Sequence, residues 1–246
     1  MTEIISFIIT LLTFIIVAYY FYQIKSVNIS GGFETQIDHI YDTYVSSVFL
    51  VNNRNNTVLI YSINLVFNKD IVLTIYDKDF SIEPYSRMTV DIEPYHSLYI
   101  GHDEIKLEHE SLYSSDTKLM FTTNFGDIFC SNGQGKEKYN FNRVSINRVK
   151  VNGNILSKNV KYIFYYKKYN DDYLYTAFVT NYGFIGNEWD YGCFFIQGGN
   201  LTVDKLKQYL ISNDLVKLFE LFECCEIIGV EEKKLFDKTS LELVQT

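Results

Sequence analysis

The spacing of apolar and polar positions changes character several times along this chain, and each change predicts a different element. From Ile4 to Tyr22 the run IISFIITLLTFIIVAYYFY holds no charge, and a helix of about 20 such residues crosses a bilayer. The run is rich in β-branched residues, but lipid forces every backbone group to be satisfied within the segment, so a single transmembrane helix is expected. Ile4, Phe7, Leu11, Phe14, Ile15, Tyr19 and Tyr22 would be its anchor positions, the tyrosines lying where amphipathic rings favour the headgroup region. Met1-Thr2-Glu3 lacks the basic start of a cleaved leader, and Ala18 is followed by bulky aromatics; residues 1–25 therefore read as an uncleaved signal-anchor whose partner is the lipid bilayer. Lys25 follows the span and no Lys or Arg precedes it, which places a single-pass protein's body on the cytoplasmic side in preference to the extracytoplasmic one.

Residues 26–43 are polar, contain Gly31-Gly32, and read as a stalk. A period of two then takes over. Tyr44–Val51 and Thr57–Phe67 flank the turn signal Asn52–Asn56 and predict a hairpin; Ile71–Tyr76, Met88–Ile92, Ser97–Ile100, Lys118–Thr123 and Ile128–Ser131 follow at short intervals. That rhythm predicts a β-sandwich over 44–132, Ig-like in architecture only, since no Cys…Trp…Cys spacing is present. The two prolines sit in an echo, Ile82-Glu83-Pro84-Tyr85-Ser86 and Ile92-Glu93-Pro94-Tyr95-His96. Proline fixes φ and removes a ladder donor, so both mark strand starts and edges.

The glycines and charges of 132–138 suggest a domain boundary, and an α+β module follows over 140–230. Val144–Val151 leads into Asn152-Gly153, a type I′ hairpin signal; Val160–Tyr166 and Tyr173–Thr180 flank Asn170-Asp171-Asp172 as another hairpin, and Tyr191–Gln197 reads as a further strand. Past 198–200 the period becomes 3.6. Thr202 would cap a helix carrying Val203, Leu206, Tyr209 and Leu210, and a second helix would run from Asn213 through Leu215, Leu218, Phe219 and Phe222 toward Cys225. The charged stretch 231–246 reads as a loosely ordered tail.

Composition narrows the function classes. Aromatics make up 17 % of the chain, but they accompany heavy use of Ile, Asn and Lys, a bias that AT-rich coding produces unaided, so they do not by themselves mark a ligand site. A formal charge of -8 and a pI near 5.0 argue against nucleic acid as a partner. Cys130, Cys193, Cys224 and Cys225 form no CxxC, zinc or disulfide pattern and read as buried, reduced thiols.

Candidate chemistry is sparse. Gly135-Lys136 fails as a P-loop, because Cys130 stands where the first glycine belongs and Glu137 where Ser or Thr must hold magnesium. The cluster His102-Asp103-Glu104-Ile105-Lys106-Leu107-Glu108-His109-Glu110 matches neither zinc-protease pattern, since Tyr113 and Ile105 occupy the places of the second histidine. Cys193 could serve as a nucleophile only with a histidine from the N-terminal half. No metal or cofactor is expected. The segment Asn181–Gly192 differs in kind: it gathers the single Trp with Tyr182, Phe184 and Tyr191 in a glycine-rich connection, a composition suited to recognition. The expected function is a membrane-anchored binding or accessory protein, of the kind found in bacterial defence, secretion or immunity systems. It would engage a protein partner, or another copy of itself, through Tyr182, Phe184, Trp189 and Tyr191. A membrane-anchored hydrolase using Cys193 or the His102–His109 cluster is the alternative.

Overall fold

The structure, a computed structural model, describes residues 2–25, 27–68, 70–114, 117–130, 141–191, 195–196, 201–229 and 231–245. Among the described residues it is mostly β, with strands spread over several sheets. Two compact units share the chain discontinuously: unit 1 takes 1–36, 45–93 and 98–146, and unit 2 takes 37–44, 94–97 and 147–246.

In unit 1 the elements are α1 (Thr2–Lys25), β1 (Ile29–Gln36), β2 (Tyr44–Asn52), β3 (Val58–Phe67), β4 (Ile71–Tyr76), β5 (Phe80–Ile82), β6 (Arg87–Asp91), β7 (Ser97–Ile100), β8 (Asp103–Ile105), α2 (His109–Leu112), β9 (Lys118–Thr123), β10 (Gly126–Phe129) and β11 (Asn142–Asn147). One sheet has the order β1-β2-β6; the other runs β10-β9-β3-β4-β11-β7-β8, with β5 also paired to β3. The expected hairpin of the second and third strands does not form, because β2 pairs with β6 while β3 pairs with β4, β5 and β9. The cause is Asn52. Its fully buried amide donates to the carbonyls of Asn56 (2.6 Å) and Glu83 (3.2 Å) and accepts from the Arg54 N–H (3.0 Å). Those bonds tie the 52–56 connection to the segment after β5, so the chain passes to the second sheet instead of doubling back.

Two further expectations change in unit 1. Gly31 and Gly32 are not in a stalk but in β1, where a Cβ would run into the Phe49 carbonyl oxygen at the first position and the Phe49 ring at the second; only glycine permits that close approach. β11 runs parallel to β4, pairing Asn142 with Ile71 and Val144 with Leu73, which departs from the all-antiparallel, Ig-like sandwich. The boundary region 132–138 lies outside the described residues, and the chain beyond it returns to unit 1 through β11.

The membrane anchor is the largest correction. Among the described residues no helix is long and apolar enough to cross a membrane. The transmembrane helix, the signal-anchor and the single-pass membrane location are therefore not supported. Of the anchor residues, Phe7, Leu11, Phe14, Ile15 and Tyr19 are solvent-exposed on α1, while the side chains of Ile4 and Tyr22 lie outside the description.

Unit 2 contains β12 (Val149–Val151), β13 (Asn154–Leu156), β14 (Val160–Lys168), β15 (Tyr175–Thr180), β16 (Ile185–Asn187), α3 (Val203–Ser212), a 3₁₀ turn (Leu215–Leu218), β17 (Phe219–Ile228), β18 (Glu231–Asp237) and α4 (Lys238–Gln245). β12 and β13 form the expected hairpin, with Asn152 and Gly153 at φ 47° and 83°. The main sheet has the order β16-β15-β14-β17-β18. Thr202 caps α3, its hydroxyl accepting from the Lys205 N–H at 3.4 Å. The second helix is instead β17: FELFECCEII pairs with both β14 and β18, so both of its edges are bonded, and the 3-residue spacing of Phe219 and Phe222 reflects a bulge opposite Lys167 and Lys168. Of the strand expected over Tyr191–Gln197, the described residues show only an isolated bridge from Phe195 to Phe184.

The tail is ordered for a simple reason: Phe236 and Leu241 are buried in the same core as Phe164, Tyr166, Leu206 and Leu210. Asp237 caps α4, its carboxylate accepting from the Ser240 N–H (3.0 Å) and hydroxyl (2.6 Å) and pairing with Lys234 at 3.1 Å. These contacts, the serine first, bring its pKa down from 3.8 to about 2. A carboxyl depressed in the folded state contributes stability that is present above its unfolded pKa and lost as pH falls through the folded value. Acid titration of wild type should therefore show a loss of stability between pH 3.8 and about 2 that Asp237→Asn lacks; superimposable acid profiles would contradict the cap.

Candidate functional site

The connection that follows β15 does not project as one loop. β16 returns antiparallel along β15, pairing Val179 with Ile185 and Ala177 with Asn187, so the four aromatic residues expected to act together are divided between the two ends of that strand. At the end beyond Thr180, Tyr182 is 76 % exposed, and the half-buried Phe184 packs against His39 and Phe195 at 4.8 and 5.3 Å between ring centroids. At the other end stand Glu188, Trp189, Asp190 and Tyr191.

Trp189 is not on the surface. It is 4 % exposed, with Phe164, Tyr166, Tyr191 and Phe219 around it at 5.6, 5.5, 5.1 and 6.1 Å, and its indole N–H has no hydrogen-bond partner among the described residues. Trp189 is therefore a core residue that supports whatever lies above it. Tyr191 is half-buried against it.

What lies beside this aromatic floor is the β14–β15 hairpin tip, which sequence reasoning treats only as a turn. Asp171 accepts from the Tyr173 N–H (2.9 Å) and the Tyr175 hydroxyl (2.6 Å), and Glu188 accepts from the Tyr173 hydroxyl and the Thr176 N–H, both at 2.7 Å. The Tyr166 hydroxyl donates to the Glu188 carbonyl. Lys168 pairs with Asp190 at 2.5 Å while its ammonium lies 4.2 Å from the centre of the Tyr175 ring. Lys167 bridges Asp172 (3.4 Å) and Glu220 (3.5 Å), and Lys238 donates to the Tyr169 hydroxyl at 2.8 Å. A cleft of about 520 Å³ lined by Lys167, Tyr169, Asn170, Asp171, Asp172 and Glu220 opens here. Tyr169, Tyr173 and Leu174 stand exposed on the tip. The signal available in the sequence is the placing of Tyr169, Tyr173 and Tyr175 around Asp171 and Asp172.

Five groups of this surface have shifted pKa values, each with a contact that causes it. The Tyr175 hydroxyl and the Tyr173 N–H lower the Asp171 pKa; the Asp172 and Asp190 carboxylates raise those of Lys167 and Lys168; hydrogen bonding to Glu188 and Asp171 raises those of Tyr173 and Tyr175. Every shift moves a pKa further from neutral pH, whereas a general acid or base works best with a pKa near the operating pH.

The residues of the catalytic alternatives are described only in part. His102 sits with Gly101 in the two-residue turn between β7 and β8, exposed together with Asp103 and Glu104. Cys193 and the side chain of His109 lie outside the described residues, and among those described no group of three His, Cys, Asp or Glu side chains could hold a metal ion. Burial pushes the thiols of Cys130 and Cys225 up to about 11 and about 12, and that of Cys224 further. Since the thiolate is the reactive species, peptide mapping after iodoacetamide treatment at about pH 8 should find these three unlabelled in native protein and labelled after denaturation. Rapid native labelling of Cys224 would show that its strand opens readily.

Compared with known proteins, the chain matches no family model, no curated protein and no solved structure.

Proposed function

We propose that this chain is a protein-binding module that engages its partner through the hairpin-tip surface of unit 2. The observation that carries the reading is the exposure of Tyr169, Tyr173 and Leu174 on a tip held by two paired strands beside the carboxylate-lined cleft. Rigid aromatic side chains offer contact area at low entropic cost, and such anchors dominate the energetics of protein interfaces. Their hydroxyl partners Asp171 and Glu188 fix Tyr175 and Tyr173 before any partner arrives.

The direct test is a photo-crosslinking amino acid at Leu174, with a second position at Lys150 as control. One partner should be captured in native cell lysate from position 174 and not from 150, and its mass distinguishes a second copy of this chain from another protein. Equal capture at both positions, or none at 174, would contradict the reading.

A further inference from the structure

Residues 37–44 belong to unit 2 although they precede most of unit 1 in the chain, and all but Tyr44 lie outside any strand. Successive side chains each have a separate receiving site within unit 2. The His39 ring lies between Phe184 and Phe195, at 4.8 and 5.0 Å. Ile40 is buried in one cluster with Leu156, Val160, Ile163 and Phe178. Room for it depends on Gly186, where a Cβ would stand 2.8 Å from Ile40 Cδ1. The Tyr41 hydroxyl donates to the Ile155 carbonyl at 2.7 Å. Asp42 pairs with Lys158 at 3.8 Å and accepts from the Asn159 amide at 3.2 Å, and the same amide reaches the Ile40 carbonyl at 3.3 Å. The backbone is bent into shape from within, since the Asp38 carboxylate accepts from the N–H groups of Ile40 and Tyr41, both at 2.7 Å.

The socket under Ile40, the carbonyl that meets the Tyr41 hydroxyl, the amide that meets the Ile40 carbonyl and the ammonium that meets Asp42 all lie in unit 2, so a short peptide of the same sequence would find the same partners there. We infer that unit 2 carries a linear-peptide site, that the chain's own residues 39–42 occupy it in cis, and that it accepts in trans a turn-forming peptide of the type Asp-x-aliphatic-Tyr-Asp. The internal Asp38 turn makes such a peptide preorganised, which reduces the entropy lost on binding. A tethered occupant at an effective concentration near ~1 mM masks the site, so a trans peptide with an intrinsic Kd of ~10–100 μM should bind the wild-type chain at least about tenfold more weakly than a chain whose own segment has been disabled.

The experiment uses the full chain and a fluorescent synthetic peptide, IDHIYDTY, corresponding to residues 37–44. In the triple variant Ile40→Ser/Tyr41→Ser/Asp42→Ser the peptide should bind at least about tenfold more tightly than to wild type, and a peptide carrying the same three serines should not bind. A milder variant, Tyr41→Phe/Asp42→Ala, keeps Ile40 in its socket and should show intermediate affinity. Folded variants that fail to bind the peptide overturn the inference. Unfolding of the triple variant together with no binding by the milder one also overturns it, making 37–44 an ordinary core element.

Discussion

Replacing Trp189 with alanine is expected to destabilise unit 2 by about 3 to 5 kcal/mol, as emptying a fully packed aromatic site usually does. For a chain of this size that corresponds to a fall in Tm of roughly 6 to 20 °C. The reason is the ring of Phe164, Tyr166, Tyr191 and Phe219 that closes on the indole, which a methyl group leaves facing a void. Trp189→Phe should be far milder, because the indole N–H has no partner among the described residues to lose. Thermal unfolding followed by circular dichroism reads both. A melting temperature unchanged in Trp189→Ala would move the indole back to the surface and undo the assignment of Trp189 as the floor of the site.

Leu241→Ala should be nearly as damaging, at about 2 to 5 kcal/mol, although it lies in the charged stretch that reads as a loosely ordered tail. Leu241 is fully buried and shares its core with Phe219, Phe222 and Phe236, and α4 is held in register by the Asp237 cap. The matching control is Leu243, 72 % exposed on the same helix, where alanine should change stability by no more than about 0.5 kcal/mol. Equal melting temperatures for the two variants would mean that α4 is not docked.

How far the sequence carries these conclusions depends on whether the deciding contact is local. Asn152-Gly153, Thr202 and the Tyr173–Thr180 run declare their structure through backbone preference or alternation, and the structure agrees at each. The partner of β2 cannot be read that way, because it is chosen by the amide of Asn52 reaching carbonyls some thirty residues on. Phe219 to Ile228 misleads for a different reason. A strand held between two neighbours loses strict alternation, and a bulge then imitates a helical period. The run in α1 has the composition of a membrane span, whereas among the described residues no helix is long and apolar enough to cross a membrane. As for the site, a glycine-rich connection holding aromatics is legible as a loop; that β16 folds it back, burying Trp189 at one end and exposing Tyr182 at the other, depends on long-range pairing.

The claim at the centre of this account is that the hairpin tip binds while the residues under it support. Its most direct test is the double variant Tyr173→Ala/Leu174→Ala, measured for thermal stability and for affinity toward the partner captured at position 174. Both side chains are about half exposed, so the melting temperature should stay within a few degrees of wild type, whereas loss of two interface anchors should weaken binding at least about thirtyfold, the equivalent of about 2 kcal/mol. Unchanged affinity with unchanged stability would contradict the account and leave the tip a solvated turn.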